Sequence, residues 1–328
     1  MGGLRRLLAQ REAGTALLLA LAVMLAAARA PRFLDAQNVQ SVLVLLPLLI
    51  IVATGETLVI VIRGIDVSVG SMVGLSAVAC GLAYKDFSGV NVWVGVAVAC
   101  LVGAGLGCVN AGLVTWLRIP PIIATLAGLS AYRGLAYVLV GGGQIDADRI
   151  PDSVTAMSVH GPFAVGGVVV PWIAVIGLMV AALAEIVLRW SRWGRGLYAV
   201  GGNAAAAEAH GIRVGRVSFA AYVLCGLLAG VGGVVYVSQF GFVAPATAGS
   251  GLELTAIAAA VIGGVDVFGG SGTVIGVVFG CALVSVIHVA LAVLGIAETW
   301  QMLAYGAVIL AAVLLDGALR ARRPAGAH

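Results

Sequence analysis

Long uninterrupted apolar runs constrain this chain more than any other feature of its sequence. Ten runs are long enough, or nearly so, to cross about 30 Å of hydrocarbon as helices of about 20 residues. They cover residues 15–30, 39–62, 69–83, 92–117, 121–140, 164–188, 217–240, 252–267, 273–295 and 299–316. The first, third and eighth runs are short, so each is a candidate re-entrant or broken segment. The runs predict a single transmembrane domain, an all-α integral membrane protein with about eight to ten crossings.

Composition excludes a water-soluble fold. Hydrophobic residues make up 62% of the 328 residues and charged residues only 10%, whereas soluble domains carry about 25% charged residues. The runs also lack the alternation of polar and apolar residues that a β-barrel needs. The 47 glycines indicate helices that pack backbone to backbone, and we predict such faces at Gly103-Ala-Gly-Leu-Gly107 and Gly226-Leu-Leu-Ala-Gly230.

The placement of arginine and lysine predicts the orientation. If all ten runs cross and the N-terminus is cytoplasmic, 13 of the 18 basic residues lie on the cytoplasmic side, as the positive-inside rule requires. Residues 1–14 and 317–328 are then both cytoplasmic. The first run has an alternative interpretation as a cleavable signal, because arginines precede it and Ala28-Arg29-Ala30 ends it.

One long basic segment, residues 189–216, lies between two runs on the predicted cytoplasmic side. Its centre, Asn203-Ala-Ala-Ala-Ala-Glu-Ala-His210, predicts a short helix that Asn203 caps and a left-handed Gly211 ends. A short helix outside the membrane, flanked by arginines, indicates a docking surface for a partner. The alternative is a solvated connector that rests on anionic lipid headgroups.

Two segments of the chain resemble each other. Val61-Ile-Arg-Gly-Ile-Asp-Val67 matches Val261-Ile-Gly-Gly-Val-Asp-Val267 at an offset of 200 positions, and Gly70-Ser71 matches Gly270-Ser271. Helix breaks in corresponding places predict an internal two-fold pseudo-repeat and point to a transport path. Chance similarity between two glycine-rich turns is the alternative. The hinge residues predicted from this match are Gly64, Asp66, Ser68, Gly70, Gly264, Asp266, Gly269 and Gly270.

Few ionisable residues fall within the apolar runs, and those that do are candidates for a function. The candidates for a translocation path are Glu56, Arg133 and Glu253. Glu56 and Glu253, like Glu185, lie near the ends of runs, from which a long side chain can reach the interface. Arg133 lies deeper, and pairing with carbonyl groups of a neighbouring helix is the alternative to a role in binding substrate.

Several classes of function find no support in the sequence. The only lysine, Lys85, is followed by Asp86, so the chain has no nucleotide-binding P-loop. It has no H-E-x-x-H or G-x-S-x-G motif, and its five cysteines lack C-x-x-C spacing. We therefore predict neither catalysis nor a metal site on this chain. A stripe of basic residues for nucleic acid is missing as well.

Four segments carry a family resemblance. They are Gly64-Ile-Asp-Val-Ser-Val-Gly70, Pro121-Ile-Ile-Ala-Thr-Leu126 with Arg133-Gly-Leu135, Ala199-Val-Gly-Gly-Asn203 with Gly211-Ile212, and Ala258-Ala-Ala-Val-Ile-Gly-Gly264 with Phe268-Gly-Gly-Ser-Gly-Thr273. In this order they resemble the permease subunits of bacterial ATP-binding-cassette importers of the ribose, xylose and galactose type. The serine in Gly-Gly-Ser-Gly, where arginine is commoner, is similar to rhamnose-type and autoinducer-2-type members.

The resemblance implies a multi-pass permease of the bacterial inner membrane that moves a monosaccharide and pairs with a second copy or a paralogue. It implies two further partners: an extracytoplasmic sugar-binding protein and a separate ATPase with tandem domains. ATP and Mg²⁺ would be held by that ATPase, so no cofactor is expected on this chain. The alternatives are an autoinducer-2-type permease of the same family and an ion-coupled secondary transporter.

The resemblance also implies a role for the basic segment, residues 189–216, as the loop that docks on the ATPase. The positions that match the family's coupling segment are Gly202, Asn203, Ala206, Ala207, Gly211 and Ile212. Three departures are visible: alanines at 204 and 205 stand where acids are common, Arg63 stands where glycine is common, and Val265-Asp266 stands near the place of a common Thr/Ser pair. Glu208 and the flanking Arg195 and Arg213 are therefore expected to supply the charge for docking.

Overall fold

The computed structural model describes residues 11–86 and 91–296, together with positions 300, 303, 306, 307 and 310. In these residues the helices are α1 (Arg11–Arg29), α2 (Ala36–Val61), α3 (Val69–Asp86), α4 (Val92–Thr115), α5 (Pro121–Val140), α6 (Asp152–Val159), α7 (Trp172–Trp190), α8 (Arg192–Gly202), α9 (Ala204–Ala209), α10 (Val214–Phe240), α11 (Leu252–Ile262) and α12 (Val274–Val293). Short 3-10 helices cover Pro31–Leu34 and Ala147–Arg149. One antiparallel hairpin pairs β1 (Phe163–Val165) with β2 (Val168–Val170).

Seven helices, α1, α2, α4, α5, α7, α10 and α12, are long and apolar enough to cross a membrane, which confirms an all-α membrane protein. α3 has 18 residues but ends in the charged pair Lys85 and Asp86. α11 has only 11 residues, about 16 Å of helix. α3 corresponds to the third predicted run and α11 to the eighth, both of which were expected to be short. α3 is not apolar enough to count as a membrane-spanning helix, and α11 is not long enough. A total of ten crossings stays a prediction.

Two predicted runs differ from the observed helices or extend beyond the described residues. Residues 164–188 were predicted as one apolar run, but the chain first forms the β1–β2 hairpin and the helix begins at Trp172. A glycine pair, Gly166-Gly167, allows the tight turn because both residues have positive φ angles. Most of the run at 299–316, and the whole predicted tail at 317–328, lie outside the described residues.

Helices α2, α3 and α10 form the centre of the bundle. All residues of α2 from Pro47 to Val61 are buried, and most of α3 is buried as well. Helices α1, α4, α5 and α7 are largely unburied, as expected for helices that face lipid. The exposed tryptophans Trp93, Trp116, Trp172 and Trp190 lie at the ends of α4 and α7, where tryptophan anchors a helix at the membrane interface.

Glycines bring α4 and α10 into backbone contact. A Cβ atom on Gly103 would lie 2.6 Å from the Gly230 nitrogen. A Cβ atom on Gly226 would lie 2.7 Å from the Gly107 Cα atom. Both distances are far below van der Waals contact, so only glycine permits this approach. The two small-residue faces predicted from the sequence are confirmed, and they face each other.

Helices α8 and α9 mark one end of the bundle, which we call the α8–α9 end. Tyr198 of α8 donates its hydroxyl to the Gly272 carbonyl at 2.7 Å, just before α12 begins. Burial raises the pKa of Tyr198 to about 12, so this hydroxyl stays a donor. Glu12, near the start of α1, accepts a hydrogen bond from Thr273 at 2.7 Å. The start of α1 thus lies at the end that the arginine count assigns to the cytoplasm.

Helix α1 packs into the bundle. Thr15 is buried and donates to the Ile262 carbonyl oxygen at 2.9 Å, and α1 lies against α12. Helix α1 therefore contacts both the end of α11 and α12.

Glu185 of α7 also has a structural role at the α8–α9 end. Its Oε2 atom accepts a hydrogen bond from the Val274 backbone at 2.6 Å, and its other oxygen pairs with Arg189. A carboxylate at this position accepts hydrogen bonds from free N–H groups at the start of α12, and its negative charge interacts favourably with the helix dipole. Glu185 therefore ties α7 to α12.

Candidate functional site

Helix α9 is an exposed turn of helix with a fixed start and end. The Asn203 side chain accepts from the Ala206 backbone at 3.0 Å. Gly211 has a φ of 82°, and the Ile212 N–H donates to the Ala207 carbonyl at 3.0 Å. Ala207 is the one buried residue of its six. The short helix predicted from the sequence is confirmed, including both of its ends.

The charged residues around α9 face outward. Arg195, Glu208 and Arg213 are exposed, and among the described residues none of the three takes part in an ion pair. The Arg195 guanidinium makes a long hydrogen bond, 3.3 Å, to the Trp190 carbonyl. Exposed, unpaired charges of both signs on a rigid turn are suited to contact with another protein.

Three segments that the sequence singled out separately meet where α8 ends. They are Val61–Gly64, Gly201–Gly202 and Gly269–Gly270, and we call their meeting point the three-segment junction. The Gly270 N–H donates to the Val61 carbonyl at 2.8 Å. A Cβ atom on Gly201 would lie 2.5 Å from the Gly270 nitrogen and would overlap the Val61 carbonyl oxygen. The end of α8 is therefore in direct backbone contact with two helix breaks, the one after α2, which we call the first hinge, and the one after α11, which we call the second hinge.

Arg63 joins the hinge after α2 to the end of α8. Its Nε atom donates to the Gly201 carbonyl and its Nη2 atom to the Gly202 carbonyl, each at 2.6 Å. These carbonyls are among the free acceptors at a helix C-terminus, where a positive charge is also favoured by the helix dipole. Arg63 has a φ of 67°, which disfavours any residue except glycine. Its side-chain contacts hold this backbone conformation.

The two hinges share a local geometry. Gly264, with a φ of 91°, takes the left-handed position in the second hinge that Arg63 takes in the first. Asp66 accepts from the Ser68 backbone at 3.0 Å, and Asp266 accepts from the Phe268 backbone at 3.0 Å. Both helix breaks are thus a left-handed residue followed by an aspartate that closes a turn. A repeat of whole halves stays a prediction.

The glycines at the end of the match do not correspond. Gly70 lies in the first turn of α3, whereas Gly270 lies in a loop with a φ of 77°. The left-handed residues also differ by 201 positions and not by the 200 of the sequence match. Gly269 is left-handed as well, with a φ of 82°, and packs against Arg63.

A fully buried polar cluster lies behind the first hinge. The Asp66 N–H donates to Glu56 Oε1 at 3.0 Å, and Asp66 Oδ1 accepts from the Ser68 hydroxyl at 2.5 Å. Asn110 of α4 donates to Asp66 Oδ2 at 3.0 Å and to the Ser68 hydroxyl at 2.8 Å. Tyr132 of α5 donates to Asn110 Oδ1 at 2.7 Å. The cluster ties α2, α3, α4 and α5 to one aspartate.

Burial sets the electrostatics of this cluster. Glu56, Asp66, Ser68 and Asn110 are all 0% exposed. Burial raises the pKa of the Asp66 carboxyl, which lies in the loop between α2 and α3, and hydrogen bonds from Ser68 and Asn110 oppose the rise. Glu56 was expected to reach the interface; that expectation is wrong, because its side chain is held inward by the Asp66 backbone.

Asn110 and Tyr132 were missed in the sequence. Asn110 is a lone amide in a 24-residue helix of otherwise apolar or small residues, and that isolation was the available signal.

Arg133 and Glu253 both lie beside glycines of α3, Arg133 near Gly74 and Glu253 near Gly70. Arg133 donates to the carbonyl oxygens of Pro245, at 2.9 Å, and Ala248. Arg133 thus pairs with carbonyl groups, as the alternative to a substrate role proposed. These carbonyls belong to the loop between α10 and α11 and not to a neighbouring helix. Glu253, in the first turn of α11, packs against Gly70 of α3.

The chain between α10 and α11, residues 241–251, follows the glycine face of α3 without forming a helix. Val243 pairs with Ile145 at the end of α3 opposite α8 and α9, close to Gly81. Gly249 packs against Gly70, which lies 11 residues away from Gly81, or about 16 Å along the helix. This segment therefore descends into the bundle, and α11 begins at that depth. We call residues 241–251 the broken segment.

A cavity of about 510 Å³ lies beside the broken segment, between α2, α10, α11 and α12. Among the described residues, its polar lining consists of Tyr236, Gln239, Thr247, Ser250, Thr255, Ser285 and His288. The predicted path residues Glu56, Arg133 and Glu253 are not among the described residues that line it. Across the described part of the chain, no group of three His, Cys, Asp or Glu residues is placed to hold a metal ion.

Comparisons with known proteins agree with this architecture. Residues 38–313 match the family model described as branched-chain amino acid transport system / permease component. The autoinducer 2 import system permease protein LsrC of Yersinia enterocolitica is 40% identical over 277 residues, which is 83% of this chain and 73% of that protein. LsrC of Photorhabdus luminescens is 37% identical over 289 residues, 88% of this chain and 84% of that protein. No solved structure matches the chain.

Proposed function

Because the chain belongs to the family of branched-chain amino acid transport system permease components, we propose that it is the membrane-spanning subunit of an ATP-driven import system for autoinducer 2 or a related small sugar-like molecule. It is a multi-pass protein of the bacterial inner membrane, and permeases of this family are non-catalytic transport subunits. The names of its relatives support autoinducer 2 as the substrate. Ribose, xylose and rhamnose are the other substrates to test.

The proposal includes partners. A separate ATPase with tandem domains supplies the energy, since this chain has no P-loop. An extracytoplasmic binding protein delivers the substrate, and a second permease, identical or related, completes the membrane part. The relatives are named as permeases of an import system, which supports a chain that works with other subunits.

The observation that carries the proposal is the direct link from α9 to both hinges. Helix α9 is exposed for docking, and it follows α8 without a flexible linker because Asn203 caps α9 and ends α8. The end of α8 is bound to Arg63 and packs against Gly270. A push on α9 by an ATPase is therefore transmitted to α2, α3, α11 and α12 together, and tilting of these helices changes access to the bundle interior.

A charge-reversal variant tests the docking surface. In the double variant Arg195→Glu with Glu208→Arg, we expect the copurifying ATPase to be lost, because reversed charges across an interface cost several kcal/mol. The measurement is a mild-detergent pull-down with mass spectrometry and an ATPase assay on the eluate. The matched control is Asp148→Arg with Arg149→Glu, a charge swap in an exposed pair at the opposite end, which should keep the ATPase. Wild-type ATPase recovery with the first variant would contradict the docking role.

A variant at Arg63 tests the link itself. In Arg63→Gly the backbone keeps its left-handed conformation while both hydrogen bonds to α8 are lost. We expect a folded complex with its ATPase bound, in which uptake per ATP hydrolysed falls about tenfold, since two charge-assisted hydrogen bonds are worth more than 1.4 kcal/mol together. The measurement is uptake and ATP hydrolysis in the same proteoliposomes.

The control for Arg63 is another arginine whose backbone has a positive φ angle. Arg118 has a φ of 55° and is exposed, and Arg118→Gly should leave the ratio of uptake to hydrolysis unchanged. Equal ratios for Arg63→Gly and the wild type would show that the junction does not transmit movement. Uptake by the purified chain alone, driven by an ion gradient, would contradict the ATP-driven function as a whole.

A further inference from the structure

The broken segment exposes irregular backbone at membrane depth. Its residues Ala246, Thr247, Ser250 and Gly251 are exposed, although the segment reaches about 16 Å into the bundle along α3. Backbone N–H and C=O groups without helical partners do not face lipid in the hydrocarbon region; they occur there only where they are buried in protein or line a water-filled cavity. This face therefore borders water or protein, and the cavity of about 510 Å³ opens on it.

The chemistry of the lining selects for an uncharged ligand. Among the described residues that line the cavity, none is Asp, Glu, Lys or Arg, and His288 is the one side chain there that can be charged near neutral pH. A cation would have no counter-ion in this medium of low polarity, and an anion would need a protonated His288, so an uncharged ligand is favoured. The volume falls within the range of small-molecule sites, about 300 to 1,000 Å³. The cavity thus suits a small neutral molecule.

Hydrogen-bonding groups converge on the cavity. The hydroxyls of Tyr236 and Thr247 lie 3.5 Å apart. Gln239 Oε1 is shielded from solvent and accepts no hydrogen bond from the described residues. Gly251, the N-cap residue of α11, provides no side-chain cap, and it lines the cavity together with Leu252. Opposite them, Leu48 and Leu49 of α2 supply an apolar wall.

We infer that this cavity is a binding site on the transport path for a small neutral molecule with several hydroxyl groups, an inference that rests on the proposed function. Its hydroxyls bind Gln239, Thr247 and Tyr236, and its C–H face packs on the leucines of α2. The site lies beside a discontinuous membrane segment, as substrate sites in membrane carriers commonly do. Helix α11 connects the cavity to the three-segment junction, because it begins at Leu252, which lines the cavity, and ends at Ile262, just before Gly264. Movement of the junction thus changes the shape of the site.

The first test measures the KM of uptake in wild-type complexes and in the double variant Gln239→Leu with Thr247→Val. The probes are radiolabelled ribose, rhamnose and autoinducer 2. We expect the KM for the transported probe to rise about tenfold, because two hydrogen bonds to the solute are lost, while ATPase copurification stays unchanged. The control is Thr115→Val on α4, whose hydroxyl bonds within its own helix and lies outside the cavity.

The second test fills the cavity. Ser250→Trp should reduce uptake at least tenfold without lowering the melting temperature, whereas Ser153→Trp, an exposed position on α6, should leave uptake unchanged. Wild-type KM in the double variant together with wild-type uptake in Ser250→Trp would overturn the inference and indicate a groove filled by lipid. Failure of the proposed function looks different: the wild type itself would then lack a copurifying ATPase or would transport none of the probes.

Discussion

Gly103→Leu is expected to lower the yield and the melting temperature of the folded protein sharply. The side chain would enter the space occupied by Gly226 and Gly230 of α10, where a Cβ atom already comes within 2.8 Å of the Gly230 Cα. Helices α4 and α10 would have to separate, and overpacking typically costs about 1 to 3 kcal/mol, a large part of a total stability of about 5 to 15 kcal/mol. The measurement is the yield of monodisperse protein and its melting temperature in detergent.

Gly105→Leu is the matched control for that prediction. Gly105 lies two residues along the same helix, and a Cβ atom there meets nothing within 4 Å. Both changes remove a glycine from α4 and add the same side chain, so they share any effect of helix propensity. We expect the Gly105 variant to have wild-type yield. Similar losses in the two variants would show that close contact between α4 and α10 does not stabilise the fold.

Asp66→Ala is expected to cost about 3 to 5 kcal/mol of stability. The change leaves the Ser68 backbone, the Ser68 hydroxyl and the Asn110 amide without their acceptor. All of these groups are buried, so water does not replace the carboxylate, and each orphaned donor costs about 1 to 3 kcal/mol. The measurement is the melting temperature of purified complexes, with uptake as a second readout of the hinge.

The control comes from the second hinge. Asp266 accepts the Phe268 N–H in the same kind of turn, but it is partly exposed, so water can replace the carboxylate as the acceptor of that N–H. Asp266→Ala should therefore cost about 1 kcal/mol or less. Equal destabilisation by the two changes would mean that the turn itself, and not the buried cluster, accounts for the effect of Asp66.

Local patterns in the sequence were sufficient for several elements. The apolar runs predicted the membrane helices, because an unpaired backbone is excluded from lipid and a helix of about 20 residues is the simplest solution. Asn203 and Gly211 predicted α9 because capping depends on residues within a few positions of one another. The small-residue faces of α4 and α10 were predicted for the same reason: glycines four apart lie on one side of a helix.

The contacts at the junction and in the polar cluster were not predictable. Arg63 and Gly201 are 138 positions apart, and no local pattern pairs them. The sequence does not show whether Glu56, near a helix end, faces the membrane interface or the protein interior. Its sequence neighbours are apolar in both cases, so they do not distinguish the two. Asn110 was missed, and a lone amide in an apolar helix does not identify the group that it binds.

By itself, the sequence determined that this chain crosses a membrane several times, and it predicted the helix breaks after α2 and α11 and the short helix α9. The tertiary structure decided which helices touch, that Arg63 and the glycines of α8 join the two hinges, and that the broken segment borders a cavity. The physical reason is that lipid tails and neighbouring helices are equally apolar, so hydrophobicity shows that a helix is in the bilayer but not which side of it meets protein. Only close packing and buried hydrogen bonds decide that, and they join residues far apart in the chain.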